Sequence, residues 1–302
     1  MKDLNAELAK RIRQFVPGDG AHPTPVPGVR CVQISQSRPW GKAHWRVCLG
    51  IMAQGVKDII LDKEVYRGLP GQYVVNPIDL PVASRVVNAT PQKPMLSLMM
   101  DLDPLVLSDI ATQMGKEFHA GTDRPSRALF VGKASVKMTE TAFRITDLFQ
   151  APGDARILGP LVLKEMFYHL LKGEEGSVIR QFVRAGSRMQ KVIQVIRRIQ
   201  GKLEDEVNVE DLAQEAGMGR SAFFKFFKEA TAMSPIQYQK RLRLLEARRL
   251  MTDEGETAEG SAYKVGYESP SQFSREYSRM FGNSPFRDSK KIKKIENYSL
   301  RT

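Results

Sequence analysis

The side chains able to do covalent, acid–base or metal chemistry are few. Histidine occurs only at His22, His44, His119 and His169, and none forms a His-x-His pair or sits in a carboxylate cluster with metal-ligand spacing. Cysteine occurs only at Cys31 and Cys48, too few for a disulfide framework and not spaced as Cys-x-x-Cys. Both lie in Val- and Ile-rich runs, where a buried thiol is inert. A redox or electrophile sensor is the alternative role for them. There is no Gly-x-Ser-x-Gly and no phosphate-binding loop. A metal-dependent or nucleophilic enzyme is not expected, and neither a metal nor a cofactor is implied.

A different chemistry, hydrogen bonding to the edges of nucleic-acid bases, is offered twice. One stretch is VGYESPSQFSREYSRMFGNSP, residues 265–285; a looser copy, AGMGRSAFFKFFKEATAMSP, spans 216–235. Ala213, Gly217, Phe223, Phe227 and Ser234-Pro235 in the first unit answer to Ala262, Gly266, Phe273, Tyr277 and Ser284-Pro285 in the second. All spacings agree except for one extra residue after the second glycine. With Phe223 and Phe227 inward, Ser221, Phe224, Lys225 and Lys228 point outward. With Phe273 and Tyr277 inward, Ser271, Gln272, Arg275 and Arg279 point outward. Arg can pair with guanine through two bonds, Gln with adenine, and an exposed aromatic can meet a thymine methyl. Gln272 has a competing role, because Ser269-x-x-Gln272 also fits a capping box.

The spacing dictates the elements that must hold these side chains. The small alanine allows close helix approach, and the glycine ends the first helix with a left-handed residue. The aromatics four apart fill the core under a second helix, and Ser-Pro starts the next one. Each unit is thus a helix-turn-helix. Between them, Pro235 to about Thr252 predicts a rod of about 27 Å, near the roughly 34 Å between successive major-groove faces. Its sequence KRLRLLEARR (240–249) has five bases and one acid, as does RDSKKIKK (287–294). Lys240 and Arg241 are the expected phosphate contacts.

The chain has 302 residues and a net charge of +12, which favours a polyanionic partner. Residues 22–101 read as short Val- and Ile-rich strands separated by turn signals, suggesting a small barrel or sandwich. A helix is expected after the cap Asp103, and another over 154–173 with Leu158, Leu161, Val162, Met166, Phe167 and Leu170 as its apolar stripe. That stripe could form a dimer or pack on its own half. The boundary falls near Gly186, giving domains 1–187 and 188–302. The opening MKDLNAELAKRIRQF reads as an amphipathic helix, not a signal peptide, and no run is apolar enough to span a membrane. A cytoplasmic protein is expected.

Residues 190–290 resemble the DNA-binding domain of the AraC/XylS family of bacterial transcription regulators, through SPIQYQKRLRLLEARRLM and VGYESPSQFSREYSRMFGNSP. The resemblance implies seven helices with two helix-turn-helix units, and base-reading positions at Ser221, Phe224, Lys225, Ser271, Gln272 and Arg275. HPTPVPGVR, MAQGVKDIILDKEVYRGLPGQYVVNPIDLPV and MLSLMMDLDP resemble the partner domain of one branch of that family. This implies an α+β chain whose cupin-like β-barrel senses an effector or dimerises. His22, Trp40, His44, Trp45 and Tyr73 are the candidate effector-pocket residues; structural or surface roles are the bland alternative. The expected partners are double-stranded promoter DNA, RNA polymerase, a small-molecule effector and a second copy of the chain, with the protein acting as an activator. A cupin-type small-molecule enzyme and a nucleic-acid binder without sequence preference are the rival readings.

Overall fold

The computed structural model describes residues 4–115, 126–184, 186–290 and 292. His119 and the tail lysines Lys291, Lys293 and Lys294 fall outside these. Helix α1 (Leu4–Phe15) leads into ten strands: β1 (Gly20–Pro23), β2 (Val29–Ile34), β3 (Arg38–Trp45), β4 (Cys48–Gln54), β5 (Val56–Leu61), β6 (Glu64–Gly68), β7 (Gln72–Asn76), β8 (Leu80–Val87), β9 (Met95–Asp101) and, later, β10 (Phe130–Lys133). Helices α2 (Pro104–Gln113), α3 (Val136–Asp147), α4 (Pro152–Lys172) and α5 (Gly176–Val183) complete the first half. The second half is helical: α6 (Arg188–Gly201), α7 (Val209–Glu215), α8 (Arg220–Thr231), α9 (Pro235–Asp253), α10 (Ala258–Lys264), α11 (Pro270–Phe281) and a last helical stretch over residues 285–290.

The strands form two antiparallel sheets, ordered β1-β2-β9-β4-β7-β10 and β3-β8-β5-β6. The α+β class expected from the sequence stands, but the barrel does not close: two sheets face each other, and among the described residues no ladder joins them. The run WRVCLGIM does not form one strand. Trp45 ends β3, and β4 begins at Cys48, where pairing switches from β8 to β9 and β7. Strands β1 and β3 carry Gly, Pro and polar residues and no Val or Ile, and the four-residue β10 has a single Val beside Gly and Lys.

Period-two alternation sorts β-sheet side chains between two cores. Val32, Met52 and Val74 face the opposite sheet, while Cys31, Ile51 and Tyr73 face helices α1–α5. Every residue of β4 up to Ala53 is buried, because both faces of that sheet are covered. The inter-sheet core continues into the second half through Val192, Ile196, Phe223, Phe227 and Tyr238, forming one apolar cluster. A separate cluster, with Leu244, Ala247, Phe273 and Tyr277, lies under α9, α10 and α11. Among the described residues no helix is long and apolar enough to cross a membrane.

Helix α4 divides its apolar stripe between two sides. Met166, Phe167 and Leu170 are buried against their own half, whereas Ile157, Leu158 and Leu161 are exposed. The stripe is two faces, one for the core and one left open.

Candidate nucleic-acid interface

Two helix pairs carry the expected outward faces. In the first, Ala216 follows the last residue of α7 as its C-cap, and Gly217 turns the chain with φ +58° into α8. In the second, Val265 is the C-cap of α10, and Gly266 turns the chain with φ +85° toward α11. Phe223, Phe227, Phe273 and Tyr277 are fully buried. Tilted ring contacts of 5.7 Å and 5.4 Å link each aromatic pair. Ser221, Phe224, Lys225 and Lys228 are exposed on α8, and Ser271, Gln272, Arg275 and Arg279 on α11. The aromatics four apart thus set the rotation of both helices, and with it which side chains face outward.

The rod between them is α9, 19 residues long, hence about 28 Å. Ser234 caps it in a full capping box: its hydroxyl accepts from the Gln237 amide, and the Gln237 side chain accepts from the Ser234 amide. The cap of α11 is simpler. Ser269 Oγ accepts from the Gln272 backbone N–H at 3.3 Å, but no reciprocal bond from the Gln272 side chain completes the box. The Gln272 amide instead donates from Nε2 to Glu276 Oε1 at 3.3 Å.

The basic stripe on α9 is largely committed within the molecule. Lys240 Nζ donates to Glu276 at 2.7 Å. Arg243 spreads its guanidinium over the carbonyls of Leu203, Glu204, Asp205 and Gly266, tying the α6–α7 loop to the turn of the second unit. Arg248 pairs through two bonds with the buried Asp288, which also accepts from Tyr277 Oη at 2.8 Å. Arg249 pairs with Glu246 and Glu254. Arg241 is exposed but lines a small cavity of about 160 Å³ with Lys42, Pro81 and Met280, on the side facing the first half. Of the two expected phosphate contacts, Lys240 therefore sits beside α11 and Arg241 beside β3. A run of bases at helical spacing reads alike from sequence whether its charges are free or paired.

Carboxylate Glu276 is the residue the outward-face reasoning passed over. Burial pushes its carboxyl up, but hydrogen bonds from Lys240, Tyr267 and Gln272 outweigh that and hold it below its ordinary value. The corresponding phenol of Tyr267 is raised, by burial and then by its bond to Glu276.

Both outward-facing helices are held from behind by the first half. Arg127 donates to the carbonyls of Lys228 and Glu229 at 3.2 and 3.0 Å, at the end of α8. Lys42, on β3, donates to the Met280 carbonyl at the end of α11. Burial and then the nearby Arg241 lower the Lys42 ammonium's pKa. At the centre, Gln200 Nε2 donates to Tyr238 Oη, which donates to the Asp79 carbonyl.

The five candidate effector residues do not line one pocket. His22 bonds the Gly18 carbonyl beside β1. Trp40 is exposed on β3 under the Arg85 guanidinium. Trp45 lies between the sheets under the Lys57 ammonium, whose pKa burial lowers to about 8. Tyr73 is buried on the helix side. His44 alone lines a large groove, of about 1100 Å³, bounded by β3, Asp79, α9 and α10. Its imidazole pKa is lowered by burial, against the pull of Asp79 at 3.9 Å. Cys31 and Cys48 are buried, and burial pushes their thiols up to about 12 and about 11. Thiols so shifted stay protonated at neutral pH and are poor nucleophiles.

Comparison with known proteins agrees with this arrangement. Residues 25–178, just over half of the chain, match the model of the AraC-type transcriptional regulator N-terminus, and residues 212–290 match a helix-turn-helix domain. The chain is 30% identical over 101 residues to the HTH-type transcriptional activator RhaS of Pectobacterium carotovorum, covering 33% of this chain and 36% of that one. It is 25% identical over 134 residues to the HTH-type transcriptional regulator ArgR of Pseudomonas aeruginosa, covering 44% and 41%. The chain thus spans only about a third to two-fifths of the length of these curated relatives. Its fold is similar to that of ToxT from Vibrio cholerae in an unsaturated-fatty-acid-bound crystal structure, with a TM-score of 0.56 at 11% identity over 89% of this chain and 95% of that one. With its first half matched over most of its length, the chain belongs to the AraC-type transcriptional regulators.

Proposed function

We propose that this protein is a sequence-specific DNA-binding regulator of transcription, and not an enzyme, that presents α8 and α11 to two adjacent major grooves of one duplex. The observation that carries this is the pair of exposed faces, Ser221, Phe224 and Lys225 on one helix and Ser271, Gln272 and Arg275 on the other, at the two ends of a rod about 28 Å long. One turn of B-DNA is roughly 34 Å. Residues 1–187 form the sensing and dimerisation domain and 188–302 the DNA-binding domain. The setting is the cytoplasm and RNA polymerase is a partner; the output is activation, the role that the name of the RhaS relative gives that protein.

A small-molecule effector fits best in the groove between β3 and α9, where His44 and Asp79 meet Glu246. Occupancy there would change how the first half holds the second. The second copy of a homodimer fits the open face of α4. Ile157→Glu with Leu161→Glu should give monomers by light scattering without loss of folding, since both side chains are exposed. A persistent dimer would remove α4 from the interface.

The test of the central reading is selection of binding sites from a random duplex library, followed by quantitative gel shift. A selected site should bind roughly 10³-fold more tightly than a scrambled one, with affinity falling steeply as salt rises. Arg275→Ala should cost about 2 kcal/mol, concentrated on one or two base pairs. Equal affinity for selected and scrambled duplexes overturns the reading.

A further inference from the structure

Residue Glu276 lies on the same helix as Gln272, one turn further on, with its side chain mostly withdrawn from solvent. Three donors from three elements converge on its two oxygens. Lys240 Nζ of α9 and Gln272 Nε2 of α11 reach Oε1, and Tyr267 Oη, from the turn before α11, reaches Oε2 at 2.8 Å. A carboxylate only accepts, so the Gln272 amide can meet it only through nitrogen. The usual ambiguity over which way a glutamine amide points is removed here by the chemistry of its partner. With Nε2 turned to Glu276, Oε1 of Gln272 is left uncommitted on an exposed residue.

From this geometry we infer that Glu276 is a specificity-determining residue: it orients Gln272 so that its carbonyl oxygen leads into the groove and accepts from the exocyclic amine of adenine or cytosine. The inference rests on the proposal that α11 enters the major groove. In that groove adenine N6 and cytosine N4 are donors, whereas guanine O6 and thymine O4 are acceptors. An oriented acceptor therefore divides the four bases into two pairs on the strand that Gln272 faces. Adenine is the better of its pair, since the second hydrogen on Nε2 can meet adenine N7. Lys240, the third group at the carboxylate, then serves to hold Glu276 in place, and the charge it would offer a phosphate is partly spent.

Glutamine at 276 tests this, because its side chain is nearly isosteric but offers a donor as well as an acceptor. The Gln272 amide is then free to turn over. The experiment is site selection with the full chain, run in parallel on the parent, Glu276→Gln and Gln272→Ala, with melting curves to check folding. In the parent, one column of the selected site should favour adenine or cytosine over guanine or thymine by about tenfold. Gln272→Ala should abolish that preference and leave the other columns unchanged. Glu276→Gln should reduce it below about threefold at the same column and admit guanine or thymine. Its freed Lys240 should change affinity evenly across sequences. A purely structural Glu276 would lower affinity for all sites and move no column.

An unchanged base order in Glu276→Gln, or an unchanged column in Gln272→Ala, overturns the inference while the proposed function stands. A parent column at Gln272 that favours guanine or thymine overturns it in the same way. A parent that selects no sequence overturns both. Should Glu276→Gln fail to fold, the base preference at the Gln272 column in the parent and its loss in Gln272→Ala still decide the matter, since Gln272 is exposed and its truncation spares the core.

Discussion

Single residues in this protein sort by whether their charge is satisfied at home. Asp58 on β5 is fully buried, with Arg67 and Arg85 donating to it from the flanking strands at 2.6 to 3.1 Å. Hydrogen bonds from Arg67, then Arg85, hold its carboxyl below the ordinary value against the cost of burial. A carboxyl lowered in the folded state adds stability that is fully present above the unfolded pKa, near 4. That stability is lost as pH falls through the lower folded value. Asp58→Asn should therefore cost about 2 kcal/mol at pH 7. The gap between parent and variant should hold down to about pH 4 and close below it. Urea melts from pH 7 to pH 2.5 measure this; a gap independent of pH would mean that the charge contributes nothing. The outward residues of α8 and α11 were legible in the sequence, because buried aromatics four apart leave no other face exposed. The partners of Glu276 were not. Tyr267 and Lys240 are 9 and 36 residues away in the chain, and only the crossing of α9 with α11 brings them together.

At the scale of elements, the two helix-turn-helix units are built to one plan with unequal tolerances. Gly217 and Gly266 both hold a left-handed conformation. A methyl group at Gly217 would meet only the flexible Lys191 Nζ, at 3.5 Å. One at Gly266 would come within 2.6 and 2.7 Å of the Glu204 backbone, in the loop that Arg243 also holds. Gly217→Ala should cost about 1 kcal/mol for the left-handed backbone alone. Gly266→Ala should cost about 3 kcal/mol, because crowding against a backbone that cannot move adds to it. Chemical denaturation of the two variants separates these values; equal losses would show that the Glu204 loop yields. The turns themselves were readable from glycine spacing, but this asymmetry was not. It depends on a loop some 60 residues upstream of Gly266, brought close by the fold. The capping of α11 is a similar case. Ser269-x-x-Gln272 satisfies the pattern of a reciprocal cap, yet the nearby carboxylate takes the glutamine.

Across the whole molecule, one apolar cluster runs from between the sheets into the first helix-turn-helix unit, while the second unit has its own. The domain boundary that we propose near Gly186 is not a boundary of the core, because the first unit shares its core with the sandwich. A basic side chain of the first half also caps the terminal carbonyls of each outward helix, Arg127 on α8 and Lys42 on α11. Cations at helix C-termini stabilise by up to about 1 kcal/mol each. The double variant Lys42→Ala with Arg127→Ala should then exchange backbone hydrogens about fivefold faster at residues 228–232 and 280–282. Exchange at α7 and α10 should stay unchanged. Mass-spectrometric hydrogen exchange measures both. Unchanged rates at the two helix ends would show that the first half rests against the second without restraining it.

Local rules of spacing and capping determined much of this protein from sequence alone. The strands β2 and β4 to β9, the two helix pairs, their turns, their caps and their exposed faces follow from periods of two and of three to four, and from where Gly, Pro and Ser fall. Tertiary structure decided what those rules cannot reach. The sheets face one another without closing, and strands such as β1 and β3, whose sequences are broken by Gly and Pro, take their places by pairing with β2 and β8. His44, Trp40, Trp45, Tyr73 and His22 scatter to different surfaces, because they lie on three strands, β1, β3 and β7, and alternation sends the neighbours His44 and Trp45 to opposite faces. Most of the basic stripe on α9 was spent on carbonyls and carboxylates from distant segments. Charge, unlike hydrophobic period, carries no record in the sequence of which partner it will meet.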